Sequence, residues 1–131
     1  MIVDASVAVK WLIEEPGSDA ADRLLAAGGL GSPDLIFAEV ANTLWKALRR
    51  GDFAALPGGI ATLADCLHQI TPCAVLMPRA ASLAVELDHP AYDCFYLAMA
   101  IAEDVPLVTA DRRFLVACAG TAHAARVRAL T

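Results

Sequence analysis

Short apolar segments alternate with helical patterns along this chain, and that alternation restricts its fold more than any other feature. Ile2-Val3-Asp4 is an apolar segment that ends at an acid, and Leu107-Val108-Thr109 is another that leads to Asp111. Helical patterns follow both segments. Parallel strands need long crossover connections, usually helices, so the pattern predicts an α/β fold. We expect a three-layer α/β/α arrangement around a central parallel sheet of four to five short strands.

The remaining segments are consistent with this arrangement. Further strands are predicted at residues 73–77, before Pro78, and at residues 126–130, with a loop at residues 31–34. Helices are predicted at residues 7–14, 19–27, 35–50, 59–70, 79–87, 91–103 and 112–119, and Ser6 is the expected cap of the first. No repeat or linker interrupts the 131 residues, which suffice for one core. We therefore predict a single domain over residues 1–131.

Composition excludes several classes of protein. No apolar run approaches the roughly 18–20 residues that cross a bilayer, and the first residues lack the basic region of a signal peptide. A cytoplasmic protein without a membrane span is expected. The cysteines are widely spaced and form no Cys-x-x-Cys pair, which favours buried reduced thiols over a zinc site. The net charge of −5 argues against a generic nucleic-acid binder, but not against an enzyme that meets phosphate through metal ions.

Four acids border unusually apolar sequence, whereas the other acids of the chain lie in solvated contexts. Asp4 and Asp111 follow predicted strands, and chemistry in open α/β sheets takes place beyond the carboxyl ends of the strands. Asp93 lies in the first turn of an apolar helix. Glu39 is the one polar side chain between Leu35 and Ala41, where an unpaired charge is costly. These four acids are the candidate catalytic and metal-binding residues.

Convergence of these acids would imply a particular chemistry. Carboxylates that lie close together repel each other, which raises their pKa values, and a divalent cation relieves the repulsion. A ligand set made of oxygen atoms suits Mg²⁺ or Mn²⁺. Such an ion activates a water molecule and offsets charge on a phosphate. Hydrolysis of phosphodiester bonds is the expected reaction.

Each acid also has a purely structural interpretation. Asp4 and Asp111 are plausible helix caps, and Asp93 has a favourable interaction with a helix dipole. Glu39 lies in the middle of a helix, so its structural alternative is a buried salt bridge. Sequence spacing alone leaves these alternatives open.

Three further residues lie near the acids in sequence. Ser6 and Arg112 are candidate substrate-binding residues, although a cap is the more common role for Ser6 and a solvated position the more common one for Arg112. Thr109 is interpreted as a strand residue without a role in the site. The scattered histidines are not expected to form a catalytic pair.

Four motifs, in order, resemble those of PIN-domain proteins, and in particular the VapC-like toxins of VapBC toxin–antitoxin pairs. The motifs are MIVDASVAVKW (residues 1–11), PDLIFAEVANTLW (33–45), AYDCFYLAMA (91–100) and LVTADRRF (107–114). The resemblance covers nearly the whole chain, except for the tail after Ala119. The order and spacing of four motifs make it more specific than any one of them alone.

The resemblance implies a Rossmann-like PIN fold and an endoribonuclease that depends on Mg²⁺ or Mn²⁺. By the same resemblance, Asp4, Glu39, Asp93 and Asp111 form an acidic pocket, and Asp4 and Asp93 match the most dependable metal ligands. It also implies a homodimer and an inhibitory VapB-like antitoxin, which would dock on the helices around residues 7–27 and 35–70.

Three other functions fit parts of the pattern. A phosphatase of the haloacid dehalogenase type requires Asp-x-Asp after the first strand, where this chain has Asp4-Ala5-Ser6. A receiver-like signalling module normally has paired acids near the N-terminus and a lysine at a strand end, and neither is evident. A non-catalytic interaction protein could use its acids to bind a partner's arginines. Metal binding that depends on the acids would distinguish the nuclease from the interaction protein.

Overall fold

A computed structural model of the chain describes residues 1–51 and 61–131. Its centre is a five-stranded sheet with the order β3-β2-β1-β4-β5, in which every neighbouring pair is parallel. The strands are β1 (Ile2–Val3), β2 (Gly31–Pro33), β3 (Gln69–Thr71), β4 (Leu107–Thr109) and β5 (Val127–Ala129). The predicted α/β fold with a central parallel sheet is confirmed, and the strand predicted in the tail is β5.

Helices flank this sheet. They are α1 (Ala5–Ala8), α2 (Ser18–Ala27), α3 (Leu35–Arg49), α4 (Cys73–Leu87), α5 (Ala91–Ala102) and α6 (Arg112–Cys118), with short 3₁₀ turns at Val9–Trp11 and Leu63–Cys66. Helix α5 contacts β1, β2 and β4, and its side chains from Tyr96 to Ala100 are all buried. Its apolar sequence is thus explained by packing against the centre of the sheet. Within the described part of the chain, no helix is long and apolar enough to cross a membrane.

Strand β2 was predicted as a loop, and that prediction was wrong. Gly31, Ser32 and Pro33 are poor strand formers, but all three are buried and pair with β3 in parallel register. Gly31 is favoured here because a Cβ atom at this position would lie 3.2 Å from both Ile2 Cδ1 and Met99 Cε, closer than ordinary van der Waals contact. A residue without a side chain therefore allows β2 to approach β1 and helix α5 closely.

The strand predicted at residues 73–77 is also wrong, since this segment is the first part of helix α4. Pro78 was interpreted as the residue that ends a strand, but it lies inside the helix. The strand of this region is β3, a few residues earlier. Part of the helix predicted at residues 59–70 lies outside the described residues. The described part is helical at residues 61–62 and then holds the 3₁₀ turn and the start of β3.

The first helix is shorter than predicted. Residues 7–14 were expected to be helical, whereas α1 spans Ala5–Ala8 and continues as a 3₁₀ turn. Its cap is Asp4, whose side chain accepts a hydrogen bond from the Val7 N–H, so the cap predicted at Ser6 is wrong. Ser6 lies inside α1, and its hydroxyl is available for other contacts.

The strand order contains a change of direction between β1 and β4. From β1 the chain crosses to β2 and β3 on one side, and later returns to β4 and β5 on the other. In sheets of this kind the crevice beyond the carboxyl ends of the two central strands is the usual place for a ligand. Asp4 follows β1, and Asp111 lies two residues after β4, so both acids lie at this crevice.

Candidate active site

A pocket of about 330 Å³ opens at the crevice between the ends of β1 and β4. The four acids chosen from the sequence all line it, although they come from four different parts of the chain. Its wall is formed by Asp4, Ala5, Ser6, Val9, Lys10, Glu15, Glu39, Thr43, Asp93, Tyr96, Ala110 and Asp111. The fold therefore brings the candidate acids to one cavity.

Asp4 is the most deeply buried of these acids, with 3% of its surface exposed. One carboxylate oxygen accepts hydrogen bonds from Ser6 Oγ, at 2.5 Å, and from the Val7 N–H, at 3.2 Å, and the other accepts from the Thr109 hydroxyl. Burial raises the pKa of Asp4 to about 6, against the lowering effect of these hydrogen bonds. A carboxylate accepts about four hydrogen bonds, so one acceptor position of Asp4 remains.

Two hydroxyl groups hold Asp4 between the ends of the central strands. Ser6 Oγ also accepts from the Ala110 N–H at 2.8 Å, and Thr109 Oγ1 accepts from the Asp111 N–H at 3.0 Å. The interpretation of Thr109 as a residue without a role in the site was wrong, because its hydroxyl joins β4 to Asp4. Sequence gave no signal for this contact, since threonine is a common strand residue.

Glu39 faces the pocket from helix α3, and it has a tyrosine as partner. The Tyr96 hydroxyl, on helix α5, donates a hydrogen bond to Glu39 Oε1 at 2.9 Å. Burial raises the pKa of Glu39, the tyrosine lowers it, and the charges of Asp93 and Asp111 raise it again. The structural alternative for Glu39 was a buried salt bridge. Among the residues that the structure describes, its partner is the neutral Tyr96 hydroxyl and not a cation.

Asp93 lies in the first turn of helix α5, as predicted, and its partner is a histidine. His89 Nε2 donates to Asp93 Oδ2 at 2.6 Å, and the His89 ring packs against the Phe114 ring with centroids 5.1 Å apart. Burial raises the pKa of Asp93, the hydrogen bond from His89 lowers it, and Asp111 raises it. The pairing of His89 with Asp93 was not predicted from the sequence, although their spacing of four residues was a usable signal.

Asp111 combines a structural role with its place in the pocket. One of its oxygens accepts from the backbone N–H groups of Arg113 and Phe114, so Asp111 is the N-cap of helix α6. The other oxygen has no protein donor among the described residues. Arg112, the second substrate-binding candidate, is exposed at the start of α6 and is not among the residues that line the pocket.

The donor chemistry of the pocket fits a hard divalent cation. Glu39, Asp93 and Asp111 each use one oxygen in a protein hydrogen bond, and the second oxygen has no donor within residues 1–51 and 61–131. As the side chains stand in the protein alone, no three His, Cys, Asp or Glu residues in these ranges form a cluster that could hold a metal ion. A bound divalent cation would offset the negative charge that these carboxylates bring to one pocket.

Burial was expected for the cysteines, and it is found for Cys94 and Cys118, whereas Cys66 and Cys73 are half-buried. Cys94 and Cys118 are buried free thiols, and burial raises the pKa of each to about 11. Cys66 and Cys73 are also free thiols. Burial raises the pKa of all four thiols, which disfavours the reactive thiolate form at neutral pH.

Comparison with known proteins adds to this description. The family model of the PIN domain matches residues 1–119. Among solved structures, the crystal structure of PAE2754 from Pyrobaculum aerophilum is similar, with 28% sequence identity and a TM-score of 0.63, over 92% of this chain and 85% of that one. No curated protein matches the sequence.

Proposed function

The chain belongs to the PIN domain family, whose members are generally nucleases, and we propose that it is a metal-dependent endoribonuclease that acts as the toxin of a toxin–antitoxin pair. The proposal covers the whole chain as a single domain, in which β5 extends the sheet beyond the matched residues 1–119.

The observation that carries the proposal is the gathering of four carboxylates in one pocket at the switch point of the sheet. Three of them have pKa values raised by burial, and Asp93 contributes to the raised values of both Asp4 and Glu39. An arrangement of this kind is costly for the fold. Acids with raised pKa values that gather in a cleft are characteristic of functional sites.

The groups that would hold Mg²⁺ or Mn²⁺ are the free oxygens of Glu39, Asp93 and Asp111 and the remaining acceptor position of Asp4. A bound divalent cation supplies a water molecule of lowered pKa and positive charge that offsets the charge on the phosphate. The protein side chains supply orientation. Tyr96 fixes one oxygen of Glu39 and His89 fixes one oxygen of Asp93, and the other oxygen of each has no protein donor among the described residues.

The substrate-binding candidates take different roles in this proposal. Ser6 donates its hydroxyl hydrogen to Asp4 and accepts from the Ala110 N–H, so its first task is to hold Asp4. Arg112 lies beside Asp111, outside the pocket wall. In this position its guanidinium would contact a phosphate of the RNA strand next to the one that is cleaved.

The toxin role includes two partners, a VapB-like antitoxin and a second copy of the chain. Support for a partner surface comes from helix α3, where Trp45 and Leu48 are both exposed and the Arg49 guanidinium packs on the Trp45 ring at 5.1 Å. This end of α3 lies within residues 35–70, where the antitoxin is expected. Light scattering of the free protein, and of the protein mixed with its antitoxin, would measure both assemblies.

Cleavage of RNA by purified, antitoxin-free protein tests the proposal. Asp93→Asn keeps the shape of the side chain and removes its charge, and Asp22→Asn makes the same change at an exposed position outside the pocket. We expect cleavage with Mn²⁺ or Mg²⁺, none with EDTA, and a loss of at least about 10²-fold in rate for Asp93→Asn, by analogy with removal of one group that stabilises a transition state.

The control variant should cleave at the rate of the unmodified protein. Equal cleavage by Asp93→Asn would indicate a contaminating ribonuclease. Absence of cleavage on transfer, ribosomal and messenger RNA, together with absence of Mn²⁺ binding by calorimetry, would contradict the nuclease and favour the interaction protein.

A further inference from the structure

One cationic side chain, Lys10, lines the acidic pocket among the residues that the structure describes. Lys10 lies in the 3₁₀ turn after helix α1, and its side chain is 12% exposed. Its ammonium group is therefore set into the wall, and not free in solvent as lysine usually is. None of the functions assigned above uses this residue.

The position of Lys10 is fixed by neighbouring groups. Its Nζ donates to Glu15 Oε1 at 2.8 Å and to the Pro16 carbonyl oxygen at 2.9 Å. Gly17 has φ of +95°, and a Cβ atom at this position would lie 3.4 Å from both Cδ and Cε of Lys10. The chain thus packs against the lysine stem. An ammonium group has three donors, so one N–H remains without a protein acceptor within the described ranges.

A structural explanation of Lys10 is that it closes the turn at Glu15 and Pro16. This turn has its own hydrogen bonds, however. Ser18 Oγ accepts from the Glu15 N–H at 3.0 Å and donates to the Ile13 carbonyl oxygen at 3.2 Å, and the Ser18 N–H donates to the Glu15 carbonyl oxygen at 3.0 Å. The turn is closed without the lysine, so its closure does not explain why an ordered cation lies in the pocket wall.

We propose that Lys10 binds a phosphate oxygen of the nucleic-acid strand next to the phosphate that enters the acidic pocket. This inference rests on the proposed nuclease function. A nucleic-acid strand that approaches the pocket is repelled by its carboxylates and by the net charge of −5 on the protein. A fixed ammonium group at the wall offsets this repulsion locally and holds the strand in register, whereas it carries no information about base sequence.

Binding of a short labelled single-stranded RNA at several KCl concentrations tests this role. All proteins carry Asp93→Asn, which prevents turnover and leaves Lys10 in place. For single strands, the slope of log affinity against log salt falls by about 0.7 for each phosphate contact that is lost. We expect the salt slope of Lys10→Gln to be smaller by about 0.7, and we expect this variant to bind the RNA several-fold more weakly. Lys10→Arg should retain the slope.

Lys46→Gln is the matched control, because Lys46 is an exposed lysine on helix α3 outside the pocket wall. If the salt slope of Lys46→Gln fell by the same amount, the effect would come from the net charge of the protein and not from the position of Lys10. That result would overturn the inference. A Lys10→Gln variant that keeps both slope and affinity would overturn it as well, while RNA cleavage by the unmodified protein would leave the nuclease proposal intact. Failure of the unmodified protein to bind or cleave RNA would overturn both.

Glu15→Gln separates the two roles of Lys10 even where Lys10→Gln folds poorly. If Lys10 only clamps the turn, removal of the Glu15 charge should weaken RNA binding in the same direction as removal of Lys10. If Lys10 binds phosphate, Glu15→Gln frees the ammonium group from its competing partner and should tighten RNA binding without lowering the salt slope. Weaker binding with a lowered slope in Glu15→Gln would overturn the phosphate role.

Discussion

Replacement of Tyr96 by phenylalanine tests whether the hydrogen bond to Glu39 governs the charge of the pocket. The Tyr96 hydroxyl lies 2.9 Å from Glu39 Oε1, and the residue is 1% exposed. Phenylalanine keeps the ring in place, so the change removes the hydrogen bond with little loss of packing. A hydrogen bond to a charged group contributes about 1.5–3 kcal/mol. For a domain of this size, such a loss lowers Tm by about 5–12 °C.

The dependence of this loss on pH is the sharper result. Burial already raises the pKa of Glu39 above that of the unfolded chain, and removal of the Tyr96 donor raises it further. A raised pKa means that the folded state binds more protons, so the free energy of unfolding falls as pH rises through the window between the unfolded and folded pKa values. This window extends higher in the variant. The difference in free energy of unfolding between Tyr96→Phe and the unmodified protein should therefore be small at low pH, and at high pH it should reach about 1.5–3 kcal/mol, the contribution of the lost hydrogen bond.

Urea unfolding in EDTA at several pH values measures this difference. Tyr92→Phe is the matched control, since Tyr92 is on the same helix, 65% exposed and without a hydrogen bond to a pocket acid among the described residues. It should change the free energy of unfolding by less than about 0.5 kcal/mol. In a Glu39→Gln background the pH dependence of the Tyr96→Phe effect should vanish. An effect of Tyr96→Phe that is constant with pH would refute the reasoning.

Three further substitutions test local contacts by thermal or urea unfolding. Thr109→Val leaves a buried oxygen of Asp4 without its donor and should cost about 1–3 kcal/mol, whereas Thr109→Ser should recover most of it; equal stability of the two variants would contradict the contact. Asp34→Ala removes the acceptor for the Cys73 N–H at the start of α4 and should cost about 1 kcal/mol, a loss that is full above pH 3.8 and disappears as the pH falls through the lower folded pKa of Asp34, because hydrogen bonds from the Cys73 thiol and backbone N–H lower that pKa. Gly17→Ala, at φ of +95°, should cost about 1–2 kcal/mol, and an unchanged Tm would show that the turn relaxes.

The sequence predicted helices α3 and α5 well. Helix α3 was predicted at residues 35–50 and spans Leu35–Arg49, and α5 was predicted at 91–103 and spans Ala91–Ala102. Both have apolar patterns over several turns and clear flanking residues. Strand β4 was predicted correctly because a short apolar segment lies between Pro106 and an acid.

Strand β2 and the first part of helix α4 could not be predicted in the same way. A strand of three residues, such as Gly31–Pro33, carries no measurable period, and its composition is typical of a turn. Its structure comes from pairing with strands that are distant in sequence. Pro78 was interpreted as the residue that ends a strand, whereas it lies inside helix α4. Tertiary context overrides local preference in both cases.

The acids of the candidate site were predictable where an acidic residue lies within apolar sequence. Glu39 and Asp4 could be identified because burial of an acid among apolar residues is costly unless the acid has a partner or a function. Their partners could not be found in this way. Tyr96 and Thr109 are residues that a core helix or a strand normally contains, and their contacts are separated from the acids by 57 and 105 positions along the chain. Only folding brings these donors to the carboxylates.

The affinity of the purified protein for Mn²⁺, measured by calorimetry without RNA, tests the central claim most directly. If the four acids form one cation site, the protein binds Mn²⁺ near pH 7.5, Asp93→Asn and Glu39→Gln weaken binding by about 10-fold or more, and Asp22→Asn leaves it unchanged. Mn²⁺ should also raise Tm of the unmodified protein, because it relieves the repulsion within the pocket. Absence of Mn²⁺ binding, or equal binding by all of these variants, would contradict the claim.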